Sequence, residues 1–210
     1  MSTDLTHSIV STDSKSTEKL GALLGKQLKG GEVIELVSDL GGGKTTFVRG
    51  LAAGSGSKDQ VASPTFTLSK VYDVYSQPSH ADVAQGAGEE RKGNVQKRTS
   101  TAHRKQQRSD TPQAPAEPSA SADGQAGAVR RLRIHHFDFY RLYGDAGIME
   151  HEVKEAVHDP KSVVVIEWGK AVHKVLPKKH LVVKITNVSP TERKLTFSYP
   201  KTLSYLLEDI

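Results

Sequence analysis

Residues 37–47 read VSDLGGGKTTF. An apolar run, VIELV (33–37), leads into Ser38, Asp39 and Leu40, then three consecutive glycines, then Lys44, Thr45, Thr46 and Phe47. Glycine loses more chain entropy on folding than any other residue, so three together need a reason. A phosphate-binding loop supplies one. Gly41 and Gly43 let the backbone turn so that several N–H groups face one anion. A helix beginning near Lys44 adds the positive end of its dipole. The Lys44 ammonium supplies charge to the β- and γ-phosphates, and the Thr45 hydroxyl ligates Mg²⁺. The usual spacing is G-x-x-x-x-G-K-[ST], and Ser38 stands where its first glycine would be. A serine there costs about 1–2 kcal/mol if the position requires φ > 0, and nothing if the backbone lies in an allowed region.

Outward from the loop, strands and helices alternate. HSIVS (7–11) reads as a short strand. Ser14 or Ser16 is expected to cap a helix running to about Leu28, with Leu20, Leu23, Leu24 and Leu28 on one face and Gly30 and Gly31 as its stop. EVIELV is a buried strand, and TTFVRGLAAG (45–54) the helix after the loop. FTLSKVYDVY (66–75) and RLRIHHFDFYRL (131–142) read as strands, IMEHEVKEAV (148–157) as a helix closed by Pro160, and AVHKVL (171–176) as a helical turn or two. SVVVIEW (162–168) is apolar almost throughout, as a central parallel strand should be. HLVVKIT (180–186) and RKLTFSY (193–199) alternate as a late β-hairpin, and TLSYLLEDI (202–210) closes the chain as a helix. The pattern predicts an α/β fold of P-loop type: a mainly parallel sheet flanked by helices.

One stretch does not fit. Residues 76–131 contain no Phe, Trp, Tyr, Leu, Ile or Met. Such a segment buries too little apolar surface to offset its ordering entropy, so it is expected to be a disordered, low-complexity insertion. Residues 1–75 and 132–210 would then form a single domain. The insertion carries nine Lys/Arg against six Asp/Glu, which leaves only +2 of the net charge of +5 to the rest of the chain. Net charge therefore gives no support to a basic nucleic-acid groove. Cysteine is absent, which excludes disulfides and thiolate-ligated metals and points to the cytoplasm. No apolar run is long enough to span a membrane, and the N-terminus lacks the pattern of a secretory signal.

A phosphate loop needs a further carboxylate for its metal. Glu167, where VVVIE emerges from the sheet, is the first choice, because open α/β sheets bind ligands at the carboxyl ends of their strands. Asp138 is the second, binding metal through water or orienting the attacking water. Ser63, Thr65 and Thr67 in SPTFTL suggest a loop that senses the γ-phosphate. Trp168, the only tryptophan, either packs in the core or covers the site.

Taken together, DLGGGKTTFVRGL, SPTFTL, HHFDFYRL and VVVIEWG resemble the signature of the TsaE (YjeE) family. The resemblance runs from about residue 8 to 199, outside the insertion. It implies a Mg²⁺-dependent ATPase accessory to a TsaB–TsaD heterodimer that makes threonylcarbamoyladenosine at position 37 of tRNA, with tRNA met only through that complex. It places ATP on Asp39, Leu40, Gly41, Gly42, Gly43, Lys44, Thr45, Thr46, Thr65 and Trp168. Thr45 and Glu167 would hold the metal, and Lys44, Asp138 and Glu167 would serve the chemistry. Three features depart from the family pattern: Ser38, Lys170 where an acid commonly follows Trp-Gly, and the insertion between two motifs usually joined by a short loop. The competing classes are a small P-loop kinase and a non-catalytic ATP-sensing module, the latter kept open by Ser38. A GTPase is disfavoured, since the chain has no Asn-Lys-x-Asp run.

Overall fold

The computed structural model describes residues 4–76, 129–142 and 147–210. The expected insertion lies outside the described residues except at its ends. There Ser76 closes one strand, and the next begins at Val129, earlier than the sequence pattern suggested.

The strands are β1 (Leu5–Ser11), β2 (Val33–Val37), β3 (Ser69–Ser76), β4 (Val129–Asp138), β5 (Ser162–Glu167), β6 (Leu181–Asn187) and β7 (Arg193–Tyr199). They form one sheet in the order β1-β7-β6-β2-β5-β4-β3. The centre is parallel: β2 pairs with β5 and β6, and β4 with β5. The expected hairpin is β6–β7, antiparallel, and β7 also pairs antiparallel with β1. The helices are α1 (Ser14–Lys26), α2 (Lys44–Ser55) and α3 (Gly147–His158), with 3-10 helices at Gly169–Val175 and Lys201–Leu207. The C-terminal segment is thus a 3-10 helix, tighter than the helix expected.

Alternation along β5 feeds two cores. Val163 and Val165 join Ile34, Leu36, Leu24, Phe47 and Leu51 on the side of α1 and α2. Val164 and Ile166 join Phe137, Phe139, Val153 and Val172 on the side of α3 and the first 3-10 helix. Successive strand side chains point to opposite faces, so a strand covered on both faces must be apolar at every position.

Asp13 caps α1, in place of the serines proposed. Its carboxylate accepts from Ser16 N at 2.6 Å, and Ser16 Oγ accepts from Asp13 N at 3.0 Å, a reciprocal capping box. Along its length, α1 touches α2 backbone to backbone. A Cβ placed on Gly21 would lie 2.2 Å from Phe47 O, one on Gly25 2.2 Å from Leu51 O, one on Gly50 1.9 Å from Glu18 O, and one on Gly54 2.1 Å from Ala22 O. Residues four apart share a helix face, so each helix turns a glycine pair to the other.

Beneath the loop, Glu35 of β2 meets His180. His180 Nδ1–H donates to Pro177 O at 2.7 Å, and Nε2–H donates to Glu35 Oε2 at 3.2 Å. Both nitrogens act as donors, which is the imidazolium form. The Glu35 hydrogen bond raises the His180 pKa above its ordinary 6.5, against the lowering effect of burial. The folded state binds this proton more tightly, so the stabilisation is complete below pH 6.5 and fades as pH climbs through the raised folded value. The urea midpoint of the wild type is expected to fall towards that of His180→Gln as pH is raised from 6 to 9. Parallel pH profiles for the two proteins would contradict this.

Candidate functional site

The loop between β2 and α2 turns through two glycines with positive φ, Gly41 at 74° and Gly43 at 103°. Gly43 occupies the N-cap of α2 and offers no side-chain cap. The helix therefore begins with N–H groups turned towards the loop, the arrangement that favours an anion. Among the described residues, the non-glycines with positive φ are Leu68 and Trp168, so Ser38 lies outside the left-handed region and carries no strain there.

Gly42 has a different reason to be glycine. Its φ is ordinary, but a Cβ on it would lie 2.3 Å from Ser38 Oγ and 2.9 Å from Ser38 Cβ. The Ser38 side chain fills the space that a larger residue at 42 would need. The triple glycine thus combines two backbone requirements with one that Ser38 imposes.

Lys44, the first residue of α2, is buried. Its Nζ donates to Asp39 O at 3.1 Å and lies 3.3 Å from Ser38 Oγ and 3.4 Å from Ser38 O. It stands 3.9 Å from Glu167 Oε2 and 4.7 Å from the centroid of Trp168. Trp168 follows Glu167 in a left-handed turn (φ 59°) and packs against Tyr140 at 5.1 Å. It is half-buried at the edge of the site, which unites the two positions proposed for it.

Pairing of β4 with β5 sets Asp138 opposite Glu167 at the carboxyl ends of both strands. Asp138 Oδ2 accepts from Thr65 Oγ1 at 2.5 Å and Ser63 Oγ at 3.1 Å, while Oδ1 accepts from Tyr140 N at 3.0 Å. Thr67 does not join them; its hydroxyl turns to the Ser69 carbonyl at 3.2 Å. Glu167, 2% exposed, divides its oxygens: Oε2 faces Lys44, and Oε1 accepts from His136 Nε2–H at 2.9 Å. His136 Nδ1 lies 3.4 Å from the Tyr72 hydroxyl, which donates to Ala62 O at 3.0 Å. Burial raises the Tyr72 pKa, so the phenol keeps its proton.

A cleft of about 230 Å³ gathers most of the sequence-derived set: Leu40, Gly41, Gly42, Gly43, Lys44, Thr45, Thr46, Thr65, Asp138, Glu167 and Trp168. Asp39 lies outside this lining and takes part through its carbonyl on Lys44. Ser63 and Tyr140 complete the wall. Gly41, Gly43 and Thr46 also border a second cleft of about 290 Å³, closed by Asp13, Thr17 and Arg193. Arg141 is exposed in the turn after β4, and its guanidinium lies 4.4 Å from the Phe66 ring centroid. Sequence reasoning missed Tyr140, His136 and Tyr72. For His136 the signal was its spacing, two residues before Asp138 in a strand and hence on the same face.

The donors available to a metal in the cleft are oxygens: the Thr45 hydroxyl, Glu167 and Asp138. Among the described residues no group of three or more His, Cys, Asp or Glu is gathered as a protein-only metal cage. A sparse oxygen set beside a phosphate cradle suits Mg²⁺, which keeps waters and takes only one or two carboxylates alongside phosphate oxygens.

The family model for TsaE, Threonylcarbamoyl adenosine biosynthesis protein TsaE, matches residues 11–100 and 125–195. The tRNA threonylcarbamoyladenosine biosynthesis protein TsaE of Treponema pallidum is 26% identical over 187 residues, covering 89% of this chain and 96% of that one. The protein of the same name from Bacillus subtilis is also 26% identical, over 89% of this chain and 79% of its own. That of a Nostoc species reaches 47% over 72 residues, 34% of this chain and 44% of its own. Among solved structures, Bacillus subtilis YdiB superposes with a TM-score of 0.60 at 21% identity, covering 98% of this chain and 94% of that one. That likeness establishes the shared fold.

Proposed function

The chain belongs to the TsaE family, and from that premise we propose that it is a Mg²⁺-dependent ATPase serving a TsaB–TsaD-like heterodimer in threonylcarbamoyladenosine modification of tRNA at position 37. The observation that carries the ATPase reading is the convergence of Lys44, Thr45, Asp138 and Glu167 on one cleft at the carboxyl edge of the sheet. Lys44 would exchange the carbonyls of Ser38 and Asp39 for phosphate oxygens. Thr45 and Glu167 would hold the metal, which when bound neutralises charge on the phosphates. Asp138 would orient the attacking water through the remaining lone pair of Oδ1, while Ser63 and Thr65 report whether the γ-phosphate is present. The nucleoside end of ATP would extend towards the second cleft, beside Thr17 and Arg193.

A partner is supported by what surrounds the cleft. Phe66 is 82% exposed and Leu40 67%, each on a loop bordering the site. Large apolar side chains at the rim of a polar cleft mark a docking surface better than a free enzyme's mouth. The strain that favoured a non-catalytic module does not apply, because Ser38 has an ordinary backbone conformation. Single-turnover ATP hydrolysis, with and without the TsaB–TsaD pair, tests the proposal. Slow, Mg²⁺-dependent turnover that the pair accelerates is expected. Failure to bind ATP, or full activity indifferent to the pair, would overturn it.

A further inference from the structure

We propose that His136 is the positioning residue for Glu167 and that, through Tyr72, it ties the metal carboxylate to the start of the SPTF loop. The proposal rests on the ATPase reading and adds to it a residue with no direct contact to nucleotide or metal.

His136 lies on β4, between β5 and the edge strand β3, is fully buried, and belongs to neither apolar cluster. A buried histidine needs polar partners, and each nitrogen of this one has one. A carboxylate only accepts, so the proton on Nε2 is fixed by Glu167 at 2.9 Å. This hydrogen bond occupies Oε1 and leaves Oε2 turned towards Lys44 in the cleft. A carboxylate with three rotatable bonds to its backbone is thereby held in one orientation, with one oxygen reserved for the ligand side. Groups that orient a metal's ligands in this way affect metal affinity about 10–100-fold when removed.

The other nitrogen points away from the cleft. Nδ1 stands 3.4 Å from the Tyr72 hydroxyl, whose oxygen also lies 3.0 Å from Ala62 O, so the one phenol proton sits within reach of both the ring nitrogen and the loop carbonyl. Ala62 is followed directly by Ser63, Pro64 and Thr65, and the hydroxyls of Ser63 and Thr65 rest on Asp138. The loop is therefore held at two points by the two acidic strands, by Asp138 from β4 directly and by Glu167 from β5 through His136 and Tyr72. A displacement of Glu167 on taking up metal reaches Ala62 through three polar contacts in series, Glu167–His136, His136–Tyr72 and Tyr72–Ala62.

The test is Mg²⁺ titration of the ADP complex, followed by the fluorescence of Trp168, the only tryptophan and itself at the edge of the cleft. Affinity for ADP in EDTA is measured beside it. In His136→Leu the Mg²⁺ midpoint is expected to rise about tenfold or more, with ADP affinity in EDTA unchanged. His136→Gln, which restores a side-chain N–H, should recover most of the loss. Tyr72→Phe should leave the midpoint closer to wild type but increase protease cleavage within residues 62–68. Should the leucine variant not fold, His136→Asn is read in its place, since it keeps an amide but shortens its reach. A wild-type Mg²⁺ midpoint in the leucine or asparagine variant would overturn the assignment. So would an equal loss of affinity with and without metal that glutamine does not rescue. If the wild-type chain binds no ADP in either condition, the ATPase reading itself has failed, an outcome separate from both.

Discussion

Lys44→Ala is expected to lower single-turnover ATP hydrolysis by about 10²–10³-fold, the range seen when one donor to a developing charge is removed. The effect should be large because Lys44 is the cation given by the loop itself and is held in a buried position. The geometry predicts a second consequence. Nζ is the cation facing Glu167 Oε2 at 3.9 Å, so alanine leaves a buried carboxylate short of its counter-charge. Removing one partner of such a pair exposes the desolvation cost of the other. The variant should therefore also unfold earlier than wild type, and Lys44→Ala/Glu167→Gln should recover stability while remaining inactive. Near-normal turnover in Lys44→Ala would remove the phosphate-loop assignment. A double variant less stable than the single would show that the two charges do not compensate each other.

Gly50→Ala is expected to destabilise the fold by about 2 kcal/mol, although alanine is the better helix former by about 1 kcal/mol. The new methyl would meet Glu18 O at 1.9 Å and Ala22 N at 3.0 Å. Both are backbone atoms of α1, so no side-chain rotation relieves the contact, and the helices must separate. Overpacking usually costs about 1–3 kcal/mol, and a backbone obstacle puts this site at the upper end before the helix-propensity gain is subtracted. For a chain of this size the thermal midpoint should fall by roughly 4–8 °C. Ala53→Ser, at an exposed position of the same helix, should stay within about 0.5 kcal/mol of wild type. Because the start of α2 closes the phosphate loop, Gly50→Ala should weaken nucleotide binding as well. An unchanged midpoint would mean that the helices are not in contact there.

The parts of this molecule written along the chain were legible in its sequence. Four apolar residues running into Glu167 announce a central strand with an acid at its carboxyl end. Lys44 and Thr45 after glycines announce a helix start with a charge. Features that depend on contacts across the fold were not legible. Asp13, Ser14 and Ser16 are all good caps, and only the direction of chain entry into α1 selects Asp13. Gly21, Gly25, Gly50 and Gly54 read as weaknesses within helices until the helices are seen to touch. Gly42 is explained only by where the Ser38 side chain lies. Strand alternation puts His136 on the face of Asp138 and His135 on that of Phe137, but nothing local says that Glu167 of β5 stands 2.9 Å from His136.

The sheet order also fixes when the site can come into being on the ribosome. β2 carries the phosphate loop, and its two neighbours, β5 and β6, are both encoded far downstream. At about 5–20 residues per second, roughly 8–30 s separate the synthesis of Val37 from that of Asn187. Until β5 is made, α1 and α2 can already meet through their glycine faces, but the strand between them has no hydrogen-bonding edge to join. β1, the first strand made, waits longer still, because its neighbour in the sheet is β7. A nascent chain stalled anywhere between α2 and β6 therefore contains every residue of the glycine loop and no finished cradle.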